Sequence, residues 1–202
     1  MIKSRDFRVI LVLVLGMLTV SSIVGGFWLQ QRFGSPPNPY AQLGGDFTLM
    51  SASGPVSLSD YRGKVVMLFF GFTSCPDVCP TDLSRMSAVF NALNPGEVEK
   101  VAGLFVSVDP ERDTPIRVSE YAAFFDKRIT GVTGSPDEVA AVARQFYVLY
   151  NKVDQPNSAI GYTIDHSAST YLIDTKGEVI QLIKHDESVQ TMVQAVRDVL
   201  AR

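Results

Sequence analysis

A chain of 202 residues has room for one domain and an appendage, or at most two small domains. Its 46% hydrophobic and 19% charged residues exclude a disordered polymer, and two cysteines exclude a framework of several disulfides. Net charge is −3, and residues 33–202 carry 14 Lys/Arg against 20 Asp/Glu, a balance of −6 that is repelled by phosphate backbones. With no basic stripe of interleaved aromatics either, nucleic acid is not an expected partner.

The chain opens on a short basic segment, residues 1–8, with Lys3, Arg5 and Arg8 against the single acid Asp6. Residues 9–29 then run without a charge. Twenty-one such residues reach roughly 30 Å as a helix, enough to cross a bilayer core. The positive-inside rule leaves the N-terminus in the cytoplasm and exports the rest, with Phe27 and Trp28 at an interfacial position. The reading is a single N-terminal transmembrane anchor in a bacterial inner membrane, with a domain facing the periplasm. A cleaved signal peptide is the rival. The run is long for one, no small-residue cleavage site clearly follows it, and both readings export the same domain. Pro36, Pro37 and Pro39 mark residues 30–43 as a linker, and residues 44–202 form the domain.

Within that domain, strand and helix signals alternate. Lys64–Phe70 is an unbroken apolar run of a strand buried on both faces. Leu83, Met86, Val89, Phe90 and Leu93 have helical spacing. Val101–Val108 is a second buried strand. Pro115 opens a helix with Val118, Tyr121, Ala122 and Phe125 on one face. Ser135-Pro-Asp-Glu138 is a capping box for a helix reaching about Phe146. Residues 169–173 and 178–183 flank a turn at Asp174–Gly177, and Ser188 caps a last helix, residues 189–200. Strands alternating with helices, then a hairpin and a final helix, give an α/β fold with the order of a thioredoxin-like domain.

Cys75 and Cys79 lie in Gly71-Phe-Thr-Ser-Cys-Pro-Asp-Val-Cys-Pro80, between the first buried strand and the first helix. Residues at i and i+4 can present both sulfurs to one point, and a helix N-terminus favours thiolate. Three chemistries compete. A structural disulfide is permitted, but so short a loop gains little from closure. A redox dithiol follows by analogy with Cys-x-x-Cys, weakened by the extra residue. A metal site needs a further ligand, and His166 offers it from a loop ahead of the hairpin, with Asp165 or Ser167 beside it to hold the second ring nitrogen. The other histidine, His185, sits among charges and reads as a solvated surface residue. Two thiolates and an imidazole make a soft three-ligand set that suits Cu(I) or Cu(II), whereas structural zinc wants four ligands. One copper ion per domain is expected.

Three segments, Gly71–Pro80, Asp109-Pro-Glu-Arg-Asp-Thr-Pro115 and Tyr162-Thr-Ile-Asp-His166-Ser, resemble the Sco/SenC proteins, membrane-tethered copper chaperones of cytochrome c oxidase assembly. The resemblance covers residues 44–202 and the anchor. It implies a thioredoxin-like fold and copper held by Cys75, Cys79 and His166. It further implies delivery of copper to, or preparation of the cysteines of, the binuclear copper site of oxidase subunit II, with another copper chaperone as a candidate donor. The Asp109–Pro115 segment is read as a shaping loop rather than a source of ligands. The alternative is a membrane-anchored thiol–disulfide reductase, in which Cys75 and Cys79 are catalytic and His166 is dispensable; otherwise the chain is not expected to be an enzyme.

Overall fold

A computed structural model describes residues 13, 15–26, 28, 38–156, 158 and 160–201. The chain divides into two units, Met1–Pro37 and Asn38–Arg202. In the first, the described residues 13, 15–26 and 28 are helical. Among the described residues no helix is long and apolar enough to cross a membrane. Residues 9–12, 14, 27 and 29 of the expected anchor, and residues 30–37 of the expected linker, lie outside the described residues.

The second unit is built on the two apolar runs expected to be buried. Strands β3 (Val65–Gly71) and β4 (Val101–Ser107) pair in parallel, and every residue of both is buried. Side chains on both faces of a strand can be apolar only where helices cover both faces of the sheet. The five-stranded sheet runs β5-β4-β3-β8-β9. Strand β5 (Ile129–Val132) extends the parallel half, while β8 (Ser169–Ile173) and β9 (Val179–Lys184) run antiparallel. The turn between β8 and β9 uses Gly177 at φ 84°, and Asp174 Oδ1 accepts from the Lys176 and Glu178 N–H groups.

Helix α1 (Val78–Ala92) follows β3 and buries Cys79, Leu83, Met86, Val89 and Phe90. A one-turn helix α2 (Pro95–Val98) leads into β4. Helix α3 (Pro115–Phe125) is capped by Thr114 and α4 (Pro136–Gln145) by the Ser135–Glu138 box, each with proline in its first turn as the sequence indicated. Helix α5 (Val189–Leu200) starts at the Ser188 cap and packs against α1.

Two hairpins were not anticipated. Strands β1 (Thr48–Ser51) and β2 (Gly54–Ser57) form a small sheet ahead of the core, and β6 (Tyr150–Asp154) pairs with β7 (Tyr162–His166) in another. The second one moves His166. It is the last residue of a strand, opposite Tyr150, and not a loop residue. Tyr150-Asn-Lys-Val-Asp154 has no buried residue, so it carries no hydrophobic alternation to announce a strand.

Candidate metal centre

The end of β3 and the start of α1 determine where the two sulfurs lie. Helix α1 begins at Val78, so Cys79 is in its first turn and Cys75 stands in the loop before it. Pro80 is also in that first turn, where its missing N–H removes no helical hydrogen bond. Asp77, at the N-cap, makes no side-chain capping bond. The Cys75 sulfur takes that role and accepts the Cys79 N–H at 3.4 Å. A helix N-terminus thus points its unpaired donors at Cys75.

Cys79 is fully buried and Cys75 partly exposed, and neither is in a disulfide. Gly71 makes this packing possible: a Cβ there would lie 2.6 Å from Cys79 Sγ and 3.0 Å from Phe105 Cε2. The Cys79 S–H donates to Cys75, which, with His166 and the N–H groups of Cys79 and Asp77, holds the Cys75 thiol down at about 3 against the opposing effect of burial. The same pairing, with burial, pushes Cys79 far up. The pair thus favours the proton on Cys79 over Cys75.

His166 comes to the pair from β7. Its Nε2 lies 3.4 Å from Cys79 Sγ, and its Nδ1 lies 3.1 Å from the Ser167 carbonyl oxygen. A carbonyl can only accept, so Nδ1 carries a hydrogen. The sequence offered Asp165 or Ser167 for this second nitrogen; the backbone of Ser167 supplies the contact. Phe69 and Phe72 meet the imidazole edge-on at 6.0 and 5.9 Å. One donor atom from each of Cys75, Cys79 and His166 falls within a common span of 4.8 Å. A cleft of about 280 Å³ lined by Phe72, Cys75, Pro76, Val78, Asp165 and His166 opens beside them.

The Asp109–Pro115 segment supports this site and lends it no donor. The buried Asp113 carboxylate accepts from Thr73 N (2.9 Å), Thr73 Oγ1 (2.5 Å) and Ser107 Oγ (2.5 Å), tying the loop that carries Cys75 to the end of β4. Arg117 closes the arrangement from outside, donating to Thr73 Oγ1 at 2.7 Å. Asp109 does the same for the histidine's hairpin: it accepts from Tyr162 Oη at 2.8 Å and from Arg112 Nε at 2.5 Å. Arg112 stacks on the Tyr162 ring at 3.7 Å and donates to the Tyr162 carbonyl at 3.0 Å. Sequence reasoning placed this loop near the site but did not find its partners Thr73, Ser107 and Tyr162, two of which lie inside the quoted motifs.

His185 departs from expectation. It is partly buried, and its Nδ1 lies 2.7 Å from an oxygen of Asp82, itself buried in α1 and paired to Arg85 at 2.5 Å. The charged neighbourhood in sequence does not mean solvation. Folding instead brings a buried carboxylate from about a hundred residues away.

A family model described as SCO1/SenC matches residues 35–201. The chain belongs to the SCO1/SenC family. Among its relatives, an SCO2-like protein of Rickettsia conorii is 34% identical, with 87% of this chain and 90% of that one aligned. The mitochondrial SCO1 homolog 1 of Arabidopsis thaliana is 36% identical over 77% of this chain and 46% of its own length. Solved structures agree with the fold. Apo Sco1 of Thermus thermophilus is 39% identical, with a TM-score of 0.71 over 77% of this chain and 91% of that one. Bradyrhizobium japonicum ScoI, solved with copper bound, is 35% identical, with a TM-score of 0.70 over 78% of this chain and 99% of that one. The mixed α/β, thioredoxin-like architecture is that of the Sco1 structures.

Proposed function

We propose that this SCO1/SenC protein binds copper through Cys75, Cys79 and His166 and serves cytochrome c oxidase assembly, delivering the ion to, or preparing the cysteines of, the binuclear copper site of subunit II. The observation that carries the reading is the convergence of two sulfurs from the β3–α1 junction and an imidazole nitrogen from β7 within 4.8 Å. Two sulfurs and one nitrogen suit copper in either oxidation state, and a three-donor set leaves the ion open to an incoming ligand. The half-exposed Cys75 is the donor a partner's thiol reaches first, so exchange begins there while Cys79 and His166 still hold the metal. The copper-bound state of related proteins supports the choice of ion. We place residues 9–29 across a bacterial inner membrane, residues 30–43 as the linker and residues 44–202 in the periplasm, on the charge-free run and its basic flank.

The thiol asymmetry favours a second reading, disulfide reduction. The Cys75 thiolate attacks a partner disulfide and expels one partner thiolate. Cys79, on losing its proton to that leaving thiolate, attacks the mixed disulfide, leaving Cys75–Cys79 oxidised and the partner with two thiols; an upstream dithiol then resets the pair. His166→Ala separates the two readings. Copper chemistry predicts a 10- to 100-fold loss of Cu(I) affinity, comparable to losses seen when metal sites are disturbed. A reductase predicts a dithiol exchange rate within about twofold of the parent, and an unchanged Cu(I) affinity would reject the copper reading.

A further inference from the structure

Two hollows share Asp165 and His166 as part of their lining. One is the cleft of about 280 Å³ beside Cys75, which Pro76 and Val78 also line. The other encloses about 500 Å³ and takes in Leu149, Tyr150 and Asn151. Leu149 is 78% exposed. Its backbone is nevertheless fixed beside the histidine: the Ser167 N–H donates to the Leu149 carbonyl at 2.9 Å, and the Leu149 N–H donates to Ser167 Oγ at 3.1 Å. With Pro76 and Val78 in one hollow and Leu149 in the other, apolar surface lies on both sides of the imidazole. Covering it removes that surface from water.

Charge around the hollows is one-sided. Asp165, and Asp77 between the lining residues Pro76 and Val78, are both exposed. Neither carboxylate has an ion-pair or hydrogen-bond partner among the described residues. The cations of the adjoining segments are committed elsewhere: Arg112 to Asp109, Arg117 to Asp113 and Lys152 to Glu111. The surplus is negative, in the same sense as the balance of −6 over residues 33–202. Copper exchange and disulfide reduction both bring a partner sulfur to the partly exposed Cys75, and with it a stretch of partner backbone. In an extended segment each neighbour of the cysteine is displaced by only about 3.3 Å along the chain, inside the ~8 Å Debye length of physiological salt. Acidic neighbours then meet uncompensated like charge, and basic neighbours meet their complement.

We propose that the two hollows dock an extended, cysteine-bearing segment of a partner protein, with basic residues beside its cysteine and an aliphatic side chain laid on Leu149, and that Asp77 and Asp165 turn away segments with acidic flanks. This rests on the functional reading above only in that a partner sulfur must reach Cys75, which both of its forms require.

The test uses the reduced, metal-free full chain and two synthetic peptides, Lys-Leu-Cys-Lys and Glu-Leu-Cys-Glu, each with thionitrobenzoate in disulfide linkage to its cysteine. The Cys75 thiolate bonds to the peptide sulfur, the peptide–thionitrobenzoate bond breaks, and coloured thionitrobenzoate leaves with the electron pair. Initial rates are divided by those of 2-mercaptoethanol, an uncharged thiol, which cancels the peptides' own reactivity. The lysine peptide is expected to react about 10-fold faster than the glutamate peptide at low salt. That ratio should fall to within about twofold at high salt, and likewise in Asp77→Asn/Asp165→Asn at low salt. Comparing the two peptides on one chain also cancels any change in the thiol itself. Leu149→Ser should slow both peptides about threefold and leave their ratio in place. All three positions are exposed, so melting temperatures should match the parent's. Equal rates for the two peptides on the parent chain, a preference that survives the double Asp variant, or parental rates in Leu149→Ser would overturn the proposal. None of these outcomes involves copper, so they leave the copper reading standing, and a chain that takes up no copper would overturn that reading alone.

Discussion

Replacing Asp113 with alanine tests how the Cys75 loop is held. The carboxylate is completely buried and accepts three hydrogen bonds, from Thr73 N, Thr73 Oγ1 and Ser107 Oγ. Hydrogen bonds to an ionised group contribute about 1.5–3 kcal/mol each, which sets an upper bound of several kcal/mol. Thr73 is half-buried and can turn partly to water, whereas Ser107 is fully buried and cannot. Arg117 is about half exposed, so its lost partner at 3.6 Å adds little. We expect a destabilisation of about 3–5 kcal/mol, from stranding the buried Ser107 hydroxyl and, in part, the two Thr73 donors. Urea unfolding of the metal-free chain measures it, with the slope m checked for constancy. Asp113→Asn retains one acceptor oxygen but turns an N–H₂ toward a donor, and should lose about half as much. In both variants the Cys75 loop slackens, so Cu(I) affinity falls with stability. A loss below about 1 kcal/mol for Asp113→Ala would rule this out, because stranding the buried Ser107 hydroxyl alone costs about 1–3 kcal/mol.

Further outcomes follow from the same geometry. Gly71→Ala places a Cβ 2.6 Å from Cys79 Sγ, so the sulfur must shift; a stability loss of about 1–3 kcal/mol and a weakened copper complex are expected, checked by denaturation and chelator competition. Arg112→Ala leaves the buried Asp109 carboxylate without its cation and unstacks Tyr162, lowering stability by about 3 kcal/mol and raising amide exchange along the β6–β7 hairpin that carries His166. Cys75 should be alkylated by iodoacetamide at a nearly constant rate from about pH 5 to 8, with Cys79 untouched; a rate climbing tenfold per pH unit through that range would mean an ordinary thiol. The linked stability has a definite sign: with its folded value below the ordinary 9.0, the Cys75 thiolate's contribution is complete above about pH 9 and is lost as pH falls toward about 3. Cys79, raised, acts oppositely, and its contribution is lost as pH rises past the ordinary thiol value.

The buried sheet was legible because β3 and β4 are continuous apolar runs, and the helices because Pro115, Ser135 and Ser188 announce their starts. The hairpin bearing His166 was not, because strand β6 buries nothing and its pairing is set by backbone hydrogen bonds that leave no mark on residue type. The three candidate ligands could be named from residue chemistry and motif resemblance. Their supports could not be paired from sequence. Asp113 meets Thr73 across 40 residues and Tyr162 meets Asp109 across 53, and such long-range partners are fixed by the fold rather than by local pattern. His185 failed for the same reason, since its partner Asp82 lies 103 residues away.

Cys75, Cys79 and His166 are proposed to form one copper site. Titrating the reduced full chain with Cu(I) against a competing chelator, beside a Cys75→Ser/Cys79→Ser double variant, tests it most directly. Tight binding of a single ion that disappears when both sulfurs are gone is the expected result. Retention of that binding by the double variant, or a parent chain that never outcompetes the chelator, would contradict it.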